Sequence, residues 1–92
     1  MNLQPYEVQY TTNARRQLSK LDHPQAQRII KKIFEYTSNP DPLANAKLLQ
    51  GNRAGAYRYR IGSYRAIFIV DDAGLITLLT ILDIKHRKDI YK

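Results

Sequence analysis

The chain has no cysteine and no tryptophan, and only two histidines, His23 and His86, in 92 residues. Without cysteine there is no disulfide staple and no thiol nucleophile. Two isolated histidines do not make a zinc site, and the acidic residues form no carboxylate cluster for Mg²⁺, so neither metal nor cofactor is expected. Apolar runs fall short of the ~18–20 residues that span a bilayer. The opening MNLQPYEVQY has neither the charged nor the apolar stretch of a signal peptide. A cytoplasmic protein with no membrane partner is therefore expected.

The hydrophobic fraction is 43%, which suits a folded domain rather than a disordered basic tail. At this length one domain, residues 1–92, is expected, and it buries only about 60–65% of its unfolded surface. Fifteen Lys and Arg against eight Asp and Glu leave a net charge of +7, so an anionic partner is expected. The excess is uneven: residues 1–46 carry net +2 and residues 47–92 net +5. The second half is where an anion should be sought.

Tyr6–Tyr10 alternates as a short strand. Thr11 or Thr12 can cap a helix to about Lys20, with Ala14, Leu18 and Leu21 facing inward. Asp22 and Gln25 suit the cap of a second helix, with Pro24 in its first turn. There Ala26, Ile29, Ile30, Ile33, Phe34 and Thr37 repeat at helical spacing and are expected to face the core. Asn39-Pro40-Asp41-Pro42 ends this helix. Residues 43–56 read as a connector from which Leu48 and Leu49 tuck into the core. Tyr57–Ile61, Tyr64–Val70 and Leu75–Leu82 are rich in β-branched and aromatic residues and read as strands. The expected fold class is α+β: a small, mainly antiparallel sheet in the order β-α-α-β-β-β, with the helical hairpin packed on one face. Tyr64–Val70, apolar in both alternation classes, is expected at the centre.

Register carries the functional inference. A two-residue turn at Gly62-Ser63 sets Ile61 opposite Tyr64 and Arg60 opposite Arg65. Arg58 joins the two arginines on the face away from the helices. Like charges opposed across strands are destabilising, so such a face is either splayed into water or supplied with an anion. If Val70 pairs with Leu75, Arg65 lies near Thr80 and the chain leaves the sheet after Leu82. The tail then emerges beside the turn, and Lys85, His86, Arg87 and Tyr91 converge on the arginines. Each residue also has an ordinary reading: His86 capping the chain end, Tyr91 anchoring a sheet edge, Lys85, Arg87 and Lys88 solubilising. Jointly, they favour a site. His23, at a helix start, reads as structural, and Tyr6, Tyr10 and Tyr36 as packing residues.

Arginines neutralise phosphate and stabilise phosphoryl transition states. Histidine exchanges protons near neutrality. Tyrosine stacks on bases. This inventory fits metal-independent cleavage of RNA, in which the 2′-OH attacks the adjacent phosphate.

Three segments resemble the signature of the RelE/ParE toxin superfamily: Lys47-Leu48-Leu49-Gln50-Gly51, Tyr57-Arg58-Tyr59-Arg60-Ile61-Gly62-Ser63-Tyr64-Arg65, and Lys85-His86-Arg87-Lys88-Asp89-Ile90-Tyr91. Their order and spacing cover almost the whole chain. The resemblance implies a RelE-like fold and the toxin of a type II toxin–antitoxin module. RelE-type members cleave mRNA in the ribosomal A site without metal or cofactor. A RelB-like antitoxin masks the basic groove, and the complex binds operator DNA through the antitoxin. ParE-type members share the fold but inhibit DNA gyrase and lack the nuclease residues.

By resemblance, Arg58 and Arg60 fall where RelE has two catalytic lysines, and Arg65 where it has a functional arginine. Tyr91 falls at a base-stacking tyrosine and Lys85 near a proposed general acid. Arginine stays protonated, so Arg60 is a poor base. The resemblance thus implies Arg60, Arg65, His86 and Tyr91 as catalytic, with His86 transferring the proton and Tyr91 orienting substrate. Arg58, Lys85 and Arg87 are implied as RNA and phosphate contacts.

Overall fold

The computed structural model describes residues 6–72, 74 and 76–90. Leu75 and Tyr91, both singled out above, lie outside them. Strand β1 is Tyr6–Tyr10, helix α1 Thr12–Ser19, helix α2 His23–Thr37, strand β2 Ala46–Leu48, β3 Tyr57–Ile61, β4 Tyr64–Asp72, β5 Thr77–His86 and helix α3 Arg87–Ile90. The strands form one five-stranded sheet in the order β1-β5-β4-β3-β2, so the most apolar strand is central as expected. β1 runs parallel to β5, and the other neighbours are antiparallel. Among the described residues no helix is long and apolar enough to cross a membrane.

The helices start where local chemistry places them. The Thr11 hydroxyl accepts the Ala14 N–H at 3.1 Å and caps α1. Pro24 sits in the first turn of α2. The Asp22 side chain makes no capping hydrogen bond, so the expected Asp22–Gln25 box does not form. Ala14, Leu18, Ile29 and Ile33 pack onto Tyr59, Ile61, Ala66, Phe68, Leu79, Ile81 and Ile84. Tyr59 is the keystone. Its ring stacks on Phe68 with centroids 4.4 Å apart, and its hydroxyl donates to the Pro42 carbonyl at 2.6 Å. Burial pushes the Tyr59 phenol pKa up, and Asp41 and Tyr36 push it the same way.

Several expectations fail for identifiable reasons. Residues 43–56 are not only connector: Ala46–Leu48 pairs with β3 as an edge strand. At that edge Leu48 is 53% exposed rather than tucked in, and Leu49 is half-buried. The apolar stripe of α2 is wider than the sheet beneath it. Ile29 and Ile33 are buried, but Ile30 and Phe34 are 40% and 69% exposed. With Val8, Tyr10, Ile33 and Thr37 they line a shallow apolar cavity of ≈ 180 Å³ between α2 and β1. Tyr6, read as packing, is exposed at the sheet edge, and His23 is exposed at the start of α2.

The largest correction concerns β5. Val70 pairs with Leu79, not Leu75, and Arg65 pairs with Lys85, not Thr80. A register shift at Ile67/Phe68 inserts Leu82 as an extra residue between the partners Ile81 and Asp83. The strand continues to His86, four residues past Leu82.

Candidate functional site

The β3–β4 connection fixes the site's geometry. Gly62 takes φ 60 while no non-glycine residue has positive φ among those described, as a type II′ turn at Gly62-Ser63 requires. The turn sets Ile61 opposite Tyr64 and Arg60 opposite Arg65. Lys85 lies opposite Arg65 on β5, so Arg60, Arg65 and Lys85 form one row across three strands. Directly opposed residues project from the same side of a sheet. Ile61 and Ala66, the alternating neighbours, are in the core, so the cationic row faces away from the helices.

Helix α3 flanks the row on the side of the β3–β4 turn. The Arg87 N–H donates to the Ser63 carbonyl at 2.7 Å, which docks the chain end onto the turn. Arg60, Arg65, Arg87 and Lys88 then line an open concavity of ≈ 330 Å³. Four cationic side chains around a polar hollow can hold an anion with several oxygens.

A second row lies two residues along the strands: Lys47 on β2, Arg58 on β3, Ile67 on β4 and Asp83 on β5. Asp83 is buried, yet its carboxylate is fully engaged. Arg53, from a 3₁₀ turn at Gly51–Arg53, forms an ion pair with one oxygen. Asn13 and Gln17 of α1 donate to the other at 2.7 and 3.3 Å. The same two amides finish the edge of β5 where β1 has ended. Gln17 accepts the Ile84 N–H at 2.6 Å, and Asn13 donates to the Leu82 carbonyl at 3.1 Å. These side chains stand in for a neighbouring strand, which satisfies backbone groups that would otherwise be orphaned.

A family model described as the ParE toxin of the type II toxin–antitoxin system parDE matches residues 8–91. The chain belongs to this family, within the RelE/ParE superfamily. The toxin RelG of Mycobacterium tuberculosis is 37% identical over 91 residues, covering 96% of this chain and 98% of RelG. In structure, the chain is similar to one from the RelBE2 toxin–antitoxin complex of M. tuberculosis, with a TM-score of 0.77 and 34% identity over 90% of this chain and 99% of that one. It is also similar to a chain of the archaeal RelE–RelB complex from Pyrococcus horikoshii OT3, with a TM-score of 0.67 and 25% identity over 89% and 94% of the two chains. The α+β fold and the assignment as a type II toxin follow.

Within this RelE/ParE toxin the site residues expected from sequence do not all converge. Arg58, Arg60, Arg65 and Lys85 share one face, and Arg87 reaches its rim. His86 does not join them. Because β5 extends to residue 86, the pleat sends consecutive side chains to opposite faces. His86 pairs with Tyr64 on the helix side, and the two rings meet edge to face at 5.0 Å. Its Nδ1 accepts the Lys88 N–H at 3.2 Å, which pins the first turn of α3. Lys47, Arg53 and Asp83 were not anticipated at the site. Alternation before Gln50-Gly51 was too short to mark β2, and nothing in sequence linked Asp83 to residues 30 and 70 positions away.

Proposed function

We propose that this toxin is a metal-independent endoribonuclease that cleaves mRNA in the A site of the ribosome and so stops translation. The observation that carries the reading is the uninterrupted row Arg60–Arg65–Lys85, with Arg87 and Lys88 beside Arg60 and Arg65. A scissile phosphate placed there gains charge-assisted hydrogen bonds that strengthen as negative charge builds in the transition state. The 2′-oxygen forms a bond to phosphorus and releases its proton to solvent. The bond from phosphorus to the 5′-oxygen breaks, and that oxygen takes a proton. The products are a 2′,3′-cyclic phosphate and a 5′-hydroxyl end. DNA lacks the attacking hydroxyl. Lys85 is the member of the row able to hand a proton to the leaving oxygen, since guanidinium does not release one. His86, on the other face, acts through α3 as a positioning residue. Tyr91 is retained as the substrate-orienting residue that the family resemblance implies.

In this reading the free toxin is cytoplasmic and meets ribosome-bound mRNA. A RelB-like antitoxin holds it in check, and operator DNA is bound only through that complex. The similarity to RelG and to RelE chains solved with RelB supports it. Mapping mRNA 5′ ends after expression of the toxin alone tests it, with new ends expected at codons held in the A site. A second reading is favoured by the matching family model, which describes a ParE toxin: inhibition of DNA gyrase without cleavage. Blocked supercoiling with translation untouched selects that reading.

A further inference from the structure

We infer that Lys47 and Arg58 hold a second backbone phosphate of the substrate, consecutive to the one at Arg60, Arg65 and Lys85. The inference rests on the RNA-cleavage reading for the identity of the polyanion.

Lys47 lies directly opposite Arg58, so the two project from the same face, which also carries Arg60, Arg65 and Lys85. The two rows are two residues apart along β3, about 7 Å. That is on the order of the separation between consecutive phosphates of an unstacked single strand. The second row is also polar in direction. Its β5 end is Asp83, whose carboxylate repels phosphate but is occupied by Arg53, Asn13 and Gln17. Buried Ile67 separates that carboxylate from Arg58. A phosphate in this row is therefore confined to the Arg58–Lys47 end, at the edge of the sheet. Lys47 is exposed there and free of any core role. The path leads from the turn at Gly62-Ser63, past Arg60 and Arg65, toward β2. The face thus matches a strand with two adjacent charged linkages rather than an isolated phosphate.

The test uses the full toxin and a non-cleavable 2′-O-methyl trinucleotide with two linkages. Either linkage is made neutral in turn as a methylphosphonate, and affinity is read by fluorescence anisotropy. With the wild type, neutralising either linkage is expected to weaken binding by about fivefold. With Lys47→Ala, which leaves Arg58 in place, neutralising one linkage should have a clearly smaller effect than in the wild type, while the other keeps its full effect. The same variant should lower the slope of log affinity against log salt by about 0.7. Lys47→Arg should restore the wild-type pattern, and thermal melting checks that each variant folds. Absence of trinucleotide binding, or a Lys47→Ala toxin equally sensitive to both linkages, overturns the inference. Cleavage of mRNA on ribosomes is measured in parallel. Cleavage without the coupling sinks only the two-phosphate track. Coupling without cleavage supports the track and sinks the nuclease reading.

Discussion

Arg60 and Arg65 stand directly opposite one another on β3 and β4, and the next residue in their row is a third cation, Lys85. The row contains no carboxylate. Like charges directly opposed across strands cost stability in the free protein. Arg65→Met, which keeps the apolar stem but removes the charge, should raise stability by about 0.5 kcal/mol. The same variant should lower mRNA cleavage by about 100-fold. Denaturant unfolding and a ribosome cleavage assay check the two arms, and a destabilised variant would contradict the stated cost.

His86 and Lys88 test position against chemistry. The Nδ1 of His86 accepts the Lys88 N–H, so the imidazole holds α3 and with it two cations of the concavity. His86→Asn retains an acceptor at the corresponding position. It should keep cleavage within about fivefold of wild type, whereas His86→Ala should lose about tenfold or more. Equal loss in both variants, with a changed pH–rate profile, would return proton transfer to His86.

Asp83 is buried with its oxygens divided between Arg53 and the amides of Asn13 and Gln17. Removing the carboxylate leaves three donors partly unpaired. Asp83→Ala should cost about 2–4 kcal/mol in chemical denaturation. Asp83→Asn, which still accepts from α1, should cost less. A loss below about 0.5 kcal/mol for Asp83→Ala would show that the network is not structural.

The Tyr59 phenol sets an alkaline limit. Its pKa is raised by burial above the usual 10.0, so the folded state favours the neutral form. A raised folded value means that this contribution to stability is complete below pH 10 and is lost as pH rises past it. Stability measured by urea unfolding should therefore fall above about pH 10. Tyr59→Phe should cost about 1–3 kcal/mol at neutral pH, by leaving the Pro42 carbonyl unpaired, and should fall less steeply with alkali. Identical slopes for the two proteins would contradict this.

Local rules made the β3–β4 hairpin legible in sequence. A two-residue turn with glycine first leaves one register, so Arg60 opposite Arg65 followed from residue order alone. The central place of β4 was legible because both of its faces are apolar. The β4–β5 register was not, because one extra residue at Leu82 and a connection that begins two residues later, after Asp72, shift pairing without a local signal. That shift also decided the site. Ending the strand at Leu82 left the tail free to bring His86 to the arginines. Extending it to residue 86 imposes the pleat, which keeps Lys85 in the row and turns His86 away. β2 escaped notice because three residues show almost no alternation, and Lys47 went with it.

The central claim is that the cationic row acts on RNA at the ribosome. The most direct measurement mixes purified toxin with translating ribosomes and, separately, with DNA gyrase, and compares wild type with Arg65→Met. New mRNA ends carrying 5′-hydroxyl and 2′,3′-cyclic phosphate are expected, with loss of those ends in Arg65→Met and unimpaired supercoiling. Inhibited gyrase with intact mRNA would contradict the claim.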